Sequence, residues 1–464
     1  MNRISKVDAN VLEEVLHVED SRRFKVYTQK DLGRIPQLQG LPRETLFDMQ
    51  VVSSILPFRV NRYVIEELID WSAVPDDPIY QLTFPQKAML PQDMFRQMGE
   101  LVRSGASAAD RNALARELRT RLNPHPAGQL EMNVPVDEAS GERLNGIQHK
   151  YRETVLFFPG QGQTCHSYCT FCFRWAQFVG DKELRMASTE ASALHAYLGR
   201  HTEVTDLLVT GGDPMVMKTK HLAAYLDPLT SPAFDHIRTI RIGTKALTFW
   251  PHRFVTDDDA SELINLFSRL IKAGKHVALM AHYNHWRELD TEIALKAIER
   301  VRRVGVEIRS QAPLLANIND SAEDWVRTWK TQVNVGVIPY YMFIERDTGA
   351  SNYFELPLAR VWEIYRDAIR QLSGIGRTAR GPVMSAGPGK VEIQGVADIQ
   401  GEKVFVLRFL QGRNPEWTHR PFFARYCEKA VWLDQLEPAF GETEFFFEKE
   451  YAGMLNPGGK LAAV

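Results

Sequence analysis

The segment TCHSYCTFC, residues 164–172, contains three of the four cysteines of this chain, Cys165, Cys169 and Cys172. Their spacing, Cys-x-x-x-Cys-x-x-Cys, supplies three thiolates, one fewer than the four that usually hold an iron–sulfur cluster. One iron would therefore stay open to another ligand. A zinc site usually needs four Cys or His ligands, so His166 could complete one, and a disulfide could take two of the thiols. Zinc ligands usually come as two separated pairs, and the spacing therefore favours a cluster.

The cysteine segment follows the apolar run TVLFFP, which is the first of six short runs rich in β-branched residues. The others are DLLVTGG, TIRIGTK, HVALMAHY, VEIRSQAP and NVGVIPYYMF. Amphipathic stretches such as ASELINLFSRLIKAGK and WEIYRDAIRQL separate them. This alternation predicts parallel strands joined by crossover helices. Six such strands fit a partial (β/α) barrel, in which the loops after the strands carry the chemistry.

A second glycine-containing motif, Thr210–Pro214 (TGGDP), directly follows the strand LLV. Glycines at such a turn let a ligand approach the backbone, although a tight strand-to-helix turn is the simpler interpretation of the motif alone. The earlier GQGQ run lacks the spacing of a dinucleotide-binding motif, so Gly160 and Gly162 are interpreted as turn formers.

Composition and charge exclude several classes of partner. The 464 residues include 56 Lys plus Arg and 58 Asp plus Glu, which gives a net charge of -2. This balance offers no electrostatic reason to expect nucleic acid or an anionic membrane. Charges interrupt the first 25 residues, and the apolar runs are too short to span a bilayer, so we expect a cytoplasmic protein.

The chain divides into three predicted regions. Residues 1–140 are expected to be mostly helical, with polar helices around 8–19 and 91–121 and a linker at 122–135. Residues 141–375 are expected to form the barrel, and residues 376–464 a small C-terminal region with the glycine-rich segment Ser385–Lys390.

The cysteine spacing resembles that of the radical S-adenosylmethionine (SAM) enzymes. Residues 27–401 resemble more specifically the lysine 2,3-aminomutase family, through DPIYQLTFPQ, IQHKYRETVLF, LLVTGGDP, IRIGTKA, HYNH, IRSQAPLLANIND and PYYMF. The resemblance implies an α/β fold with a partial (β/α)6 radical SAM barrel, a helical N-terminal extension and a small C-terminal region. It also implies a [4Fe-4S] cluster on the three cysteines, with SAM bound at Gly211, Gly212, Asp213 and Gln311.

Family members also use pyridoxal 5′-phosphate (PLP), held as an imine by a lysine that ends a glycine-rich run. The matching residue is Lys390, although the run is shorter here. His149, Lys150 and Tyr151 align with residues near the PLP ring and phosphate. Arg174 matches the arginine that binds the substrate carboxylate, a task that suits its planar guanidinium.

The sequence departs from lysine enzymes where those bind the distal ammonium with two aspartates. Arg346 and Ser385 stand at the corresponding positions, and an arginine favours an acidic side chain such as that of glutamate. A shift of one residue would instead bring Glu345 or Asp347 into the site and restore a preference for a cation. The substrate class therefore stays open at this point.

The resemblance implies an isomerase that moves an amino group from the α- to the β-carbon of an amino acid through a 5′-deoxyadenosyl radical. It further implies an external one-electron reductant of the flavodoxin or ferredoxin type and a homo-oligomer. A radical SAM enzyme without PLP, an aminomutase for protein lysines and a non-catalytic cluster or zinc protein remain alternatives.

Two smaller expectations concern metal ligands. Cys427 alone cannot replace the C-terminal zinc cysteines of lysine 2,3-aminomutases and is interpreted as a structural thiol. His282 and His285 in HYNH are interpreted as hydrogen-bonding residues, with a metal pair as the alternative.

Overall fold

A computed structural model describes residues 23–123, 133–137, 141–180 and 186–455. The helix predicted at 8–19 and most of the linker predicted at 122–135 lie outside these residues. Within them, no helix is both long and apolar enough to cross a membrane.

The described residues contain thirteen strands in chain order: β1 Val26–Thr28, β2 Arg59–Asn61, β3 Ile147–Tyr151, β4 Thr154–Phe157, β5 Asp206–Val209, β6 Thr239–Thr244, β7 His276–His282, β8 Glu307–Leu314, β9 Ile338–Ile344, β10 Arg380–Ser385, β11 Gly389–Ile399, β12 Glu402–Gly412 and β13 Pro421–Arg425. The first two form a small antiparallel sheet, and the other eleven form one sheet in the order in which they occur along the chain.

The α-helices of the described residues are α1 Arg43–Ile55, α2 Pro78–Thr83, α3 Gln92–Arg103, α4 Ala108–Arg121, α5 Ala191–Arg200, α6 Thr219–Leu226, α7 Ala246–Phe249, α8 Ala260–Lys272, α9 Glu292–Arg303, α10 Ala322–Asn334, α11 Ser351–Phe354, α12 Leu358–Ile369 and α13 Glu448–Leu455. The helix expected around 91–121 is thus two helices, since the chain turns at residues 104–107 and Ser107 caps the second.

The six strands expected from the sequence are confirmed as β4 to β9, and neighbouring members pair in parallel. Helices follow them as the alternation predicts. In α8, Leu263, Phe267 and Leu270 are fully buried at helical spacing and join the same core as Val277 of β7. The result is an α/β architecture around a largely parallel sheet.

The sheet is longer than the sequence indicates. Strand β10 adds a seventh parallel strand beside β9, and β11, β12 and β13 continue the sheet in antiparallel pairs. The sheet therefore continues across residue 375, where the sequence predicts a boundary between the barrel and the C-terminal region. Lys390 lies on β11, directly after the turn of the β10–β11 hairpin.

The edge strand β3 also contacts the β10–β11 hairpin, which lies beyond the other end of the parallel strands. Lys150 on the edge strand β3 donates a hydrogen bond of 3.0 Å from Nζ to the carbonyl of Ala386 in the β10–β11 turn. The Lys390 amine lies 5.8 Å from the ring centroid of Tyr151, the next residue of β3. The hairpin with Lys390 is thereby held against β3, at the other end of the parallel strands.

Candidate active site

A cavity of about 680 Å³ runs along one face of the parallel strands. Alternate residues of successive strands line it, as expected for one face of a sheet. These are Thr154 and Leu156 of β4, Asp206 and Leu208 of β5, Arg241 and Gly243 of β6, Ala278 and Met280 of β7, and Arg309 and Gln311 of β8. The cysteine loop, the TGGDP loop and Lys390 contribute to the same cavity.

The cysteine loop lies between β4 and α5, and the N-terminal region holds it in place. The backbone amide of Thr170 donates to the carbonyl of Leu82 at 2.9 Å, and its hydroxyl donates to that of Gln81 at 2.7 Å. The amide of Tyr168 donates to the carbonyl of Arg59 at 2.8 Å. The N-terminal helices thus serve as a support that presents the cysteines to the cavity.

All three cysteines are free thiols that line the cavity. Desolvation raises the pKa of each thiol, that of Cys172 to about 11. Because metal coordination replaces the thiol proton, such a site favours a bound metal over a free thiolate. The three sulfurs suit a metal group as donors, and each thiol would release its proton on binding.

The sulfur positions also separate a cluster from a single zinc ion. Ligands of one tetrahedral zinc with Zn–S bonds of about 2.3 Å lie roughly 4 Å from one another. The three cysteine sulfurs do not all fall within 4.8 Å of one another, either alone or together with a histidine or carboxylate. A cluster, in which each sulfur binds a different iron, fits this spread better than zinc completed by His166.

The TGGDP loop packs directly on the cysteine loop. A β-carbon on Gly212 would lie 2.4 Å from the carbonyl oxygen of Thr164, so only glycine fits there. The amide of Asp213 donates to that same oxygen at 2.7 Å. Gly211 has φ of +145° and faces Gln163. The two predicted loops therefore form one rigid unit.

The Asp213 carboxylate is buried and accepts three hydrogen bonds, from the hydroxyl of Thr244 and the amides of Met215 and Lys245. Desolvation raises its pKa to about 6 despite these donors. The side chain therefore fixes the β5 and β6 loops against each other. Gln311 lies at the cavity wall on β8, next to the end of β7.

Lys390 faces the cavity, where its Nζ donates to Oε1 of Gln411 at 2.8 Å and lies 5.0 Å from the Tyr341 ring centroid. Desolvation lowers the pKa of its amine to about 7, with a further contribution from Arg241. A lysine that is neutral near pH 7 can act as a nucleophile. A β-carbon on Gly389 would lie 2.3 Å from the carbonyl oxygen of Gln411, so glycine permits this close approach of the strands.

Two cavity arginines lie close to the same aromatic ring. The guanidinium carbons of Arg174 and Arg346 lie 5.2 and 5.3 Å from the centroid of Phe173, and Arg174 also lies 4.6 Å from that of Phe158. Desolvation lowers the pKa of Arg174 to about 10 and also lowers that of Arg346. Among the described residues, neither forms an ion pair with a carboxylate, and Nε of Arg346 is buried without a hydrogen-bond partner.

Other predicted residues are distributed as follows. Lys150, Tyr151 and Ser385 line the cavity, whereas His149 does not. Side chains alternate along β3, so Gln148 points inward and His149 outward, and a register shift between Gln148 and Tyr151 lets both Lys150 and Tyr151 reach the cavity. His149 instead contacts Tyr197. The structure therefore separates His149 from the other residues expected around PLP.

The two histidines of HYNH differ in their contacts, and the expected hydrogen-bonding role is seen for the His285 ring. The His285 ring accepts from the amide of Arg287 and lies 3.6 Å from a carboxylate oxygen of Asp324. His282 stacks near Phe171. Within the described residues, neither belongs to a group of potential metal ligands. Cys427 packs at the edge of the C-terminal core, as a structural thiol would.

Several cavity residues are absent from the sequence-based expectations. Asp206 pairs with Arg241, Arg309 pairs with Glu307, and Gln411 of β12 contacts Lys390. The sequence does contain a signal for Arg241 and Arg309. A parallel strand that is covered on both faces should be apolar throughout. Charges that alternate with apolar residues in TIRIGT and VEIRSQ indicate a strand face turned towards a polar cavity. Gln411 carries no such signal.

Comparison with known proteins finds relatives that are named as aminomutases. A putative L-lysine 2,3-aminomutase of Aquifex aeolicus is 29% identical over 86% of this chain and 92% of its own length. The L-lysine 2,3-aminomutase of Fusobacterium nucleatum is 28% identical over 71% of this chain and 72% of its own. That of Bacillus subtilis is 28% identical, and the match covers 57% of this chain and only 53% of that protein.

The chain is a homologue of the lysine 2,3-aminomutases. These relatives are isomerases, which confirms the expectation of an enzyme of the aminomutase type. Lysine 2,3-aminomutases use a [4Fe-4S] cluster, SAM and PLP, so the homology supports the predicted cofactor set. No protein-family model matches the chain.

Similarity to solved structures is weak. The crystal structure of Streptococcus suis SuiB bound to precursor peptide SuiA gives a TM-score of 0.34 at 14% identity over 60% of this chain and 58% of that one. A radical SAM methyltransferase from Sphaerobacter thermophilus gives 0.35 at 13% identity over 63% and 94%. TM-scores this low support no conclusion about the fold or function of this chain.

Proposed function

We propose that this protein is a radical SAM and PLP-dependent amino acid 2,3-aminomutase whose substrate has an anionic side chain, with glutamate as the first candidate. The observation that carries the proposal is the convergence of three free cysteines, the TGGDP loop and a lysine with a lowered pKa on one cavity. These groups come from distant parts of the chain. A protein that only stores a cluster has no use for the lysine.

Each cofactor has candidate residues in the cavity. Cys165, Cys169 and Cys172 would hold the cluster, Gly211, Gly212, Asp213 and Gln311 would contact SAM, and Lys390, Lys150 and Tyr151 would contact PLP. When bound, the cluster and SAM supply a 5′-deoxyadenosyl radical, and PLP supplies an electron-accepting group for the migrating amine. The protein contributes binding, orientation and the exclusion of water.

Arg174 is the proposed partner of the substrate α-carboxylate. Its guanidinium is desolvated beside the rings of Phe158 and Phe173 and forms no ion pair with a carboxylate of the described residues. A buried charge of this kind is stabilised when a ligand supplies the opposite charge. Its position two residues after Cys172 would fix the substrate beside the cluster.

Arg346 and Ser385 are the proposed partners of the side-chain carboxylate. Both line the cavity, whereas Glu345 does not. The Glu345 carboxyl is buried, and desolvation raises its pKa well above the usual range. It therefore offers little negative charge to a substrate ammonium. An arginine without an ion-pair partner in the wall supports an anionic substrate over lysine.

The proposal also covers the barrel architecture, the electron donor, the cellular compartment and the oligomeric state. The contact of Lys150 with the Ala386 turn supports a partial barrel of the parallel strands. The mechanism requires a one-electron reductant, and we propose a flavodoxin or ferredoxin type. Free cysteines suit a reducing compartment such as the cytoplasm. A homo-oligomer, as the family resemblance implies, is also part of the proposal.

The test is anaerobic reconstitution with iron, sulfide and PLP, followed by reduction with dithionite in the presence of SAM. We expect release of 5′-deoxyadenosine and conversion of glutamate to its β-amino isomer, with lysine, aspartate and arginine compared in parallel. SAM cleavage without PLP binding would point to a PLP-independent radical enzyme. Turnover of a peptide-bound lysine alone would point to a protein-modifying aminomutase. A protein that binds only zinc would contradict the proposal altogether.

A further inference from the structure

We propose that His149, His201 and Glu203 form an accessory site for a divalent transition-metal ion of the zinc type, outside the active-site cavity. One ligand atom from each of the three side chains lies within 4.8 Å of the others. No other group of three His, Cys, Asp or Glu residues in the described part of the chain meets this criterion. The two histidines are half-buried and Glu203 is exposed, so solvent has access to the site.

Hydrogen bonds orient the His149 ring as they orient metal-binding histidines. Its Nε2 lies 3.0 Å from the carbonyl oxygen of Arg152. Because a carbonyl oxygen only accepts, Nε2 carries the proton and Nδ1 presents a lone pair. A histidine that binds a metal commonly donates its other ring N–H to a carbonyl in this way. The Tyr197 hydroxyl, 2.7 Å from Nδ1, currently uses the lone pair that a metal would take.

His201 and Glu203 complete the ligand set. Nδ1 of His201 lies 2.9 Å from Oε1 of Glu203, and the His201 and His149 ring centroids are 5.8 Å apart. The His201 ring also packs on Tyr197, with centroids 4.1 Å apart. Two imidazoles and a carboxylate are ligands that zinc prefers, and a water molecule would fill the fourth position.

The location of the site suggests what the ion would do. His149 belongs to β3, whereas His201 directly follows α5 and Glu203 lies before β5. An ion bound by His149, His201 and Glu203 would therefore link the edge strand β3 to the C-terminal end of α5. The next two residues of β3, Lys150 and Tyr151, line the cavity. The site is independent of the proposed aminomutase function, because none of its ligands reaches the cavity.

Isothermal titration of the tag-free holoenzyme with Zn²⁺ tests the proposal, since the loaded cluster occupies the cysteines. We expect one zinc per chain in addition to the cluster iron, and X-ray absorption at the zinc edge showing only nitrogen and oxygen ligands. His201→Ala and Glu203→Gln should each weaken zinc binding at least about tenfold. The control His419→Ala changes an exposed histidine outside the site and should bind zinc as the wild type does.

Three results would overturn the site. One is the absence of zinc binding by the wild-type holoenzyme at micromolar concentrations. Another is equal zinc affinity in the wild type and in Glu203→Gln, whose exposed side chain can change without disturbing the fold. The third is sulfur in the zinc coordination shell, which would assign the metal to the cysteines.

Discussion

The side chain of Arg346 lines the active-site cavity, whereas that of Glu345, the residue before it, is buried outside the cavity wall. One carboxylate oxygen of Glu345 has no hydrogen-bond partner, and neither does Nε of Arg346. The sequence left Glu345, Arg346 and Asp347 as candidates for contact with the substrate side chain. Of these, only Arg346 lines the cavity. Of these three side chains, the one exposed to the cavity is therefore the guanidinium.

Arg346→Gln should lower kcat/KM for glutamate by about 100-fold, because loss of one partner of a desolvated charge pair costs roughly 2–5 kcal/mol. Glu345→Gln is the matched control. Its carboxyl already has a raised pKa, so the neutral amide should leave kcat/KM within a few-fold of wild type. Anaerobic steady-state kinetics provide the measurement. A wild-type enzyme that converts lysine but not glutamate would contradict this assignment.

Lys390→Ala should abolish covalent fixation of PLP by borohydride, which mass spectrometry of the intact chain detects. In the wild type, fixation should fall as the pH drops below about 7, because the amine then becomes protonated. It should stay level between pH 8 and pH 10, since the lowered pKa leaves the amine neutral there. A lysine with the ordinary value of 10.5 would instead gain reactivity throughout that range.

Gly212→Ala should reduce the iron content after reconstitution, because the new β-carbon would meet the backbone of Thr164 at 2.4 Å and displace the cysteine loop. Overpacking of this kind typically costs about 1–3 kcal/mol. Gly199→Ala is the control, since nothing lies within 4 Å of a β-carbon at that position in α5. Iron per chain and the melting temperature report both effects. Equal iron content in the two variants would show that the loops are not coupled.

Arg413→Gln should weaken PLP binding by about tenfold. Nε of Arg413 donates to the carbonyl of Gly387 at 2.9 Å in the turn before Lys390. Desolvation lowers the pKa of Lys150, and the positive charge of Arg413 lowers it further. The variant loses both a charge-assisted hydrogen bond and a positive charge that acts on Lys150, a proposed PLP contact. Equilibrium dialysis measures the affinity. An unchanged dissociation constant would mean that the hairpin keeps its position without this contact.

The sequence predicts the parallel strands well, because short apolar runs alternate with amphipathic helices from residue 146 onwards. It does not reveal β10, since Gly381 and Pro382 interrupt the strand pattern there. The cysteine loop, the TGGDP loop and Lys390 are predictable because each lies in a local motif. His149 and Gln411 are not, because the register of β3 and the pairing of β12 depend on tertiary contacts.

The order of the strands along the chain has a consequence for how the enzyme is made. The ribosome releases the cysteine loop and strands β4 to β9 well before the hairpin that Lys150 contacts. During synthesis there is thus a stage at which the cysteines and strands β4 to β9 have been made but the hairpin that lines the cavity has not. Cluster insertion at that stage would need no later opening of the finished protein.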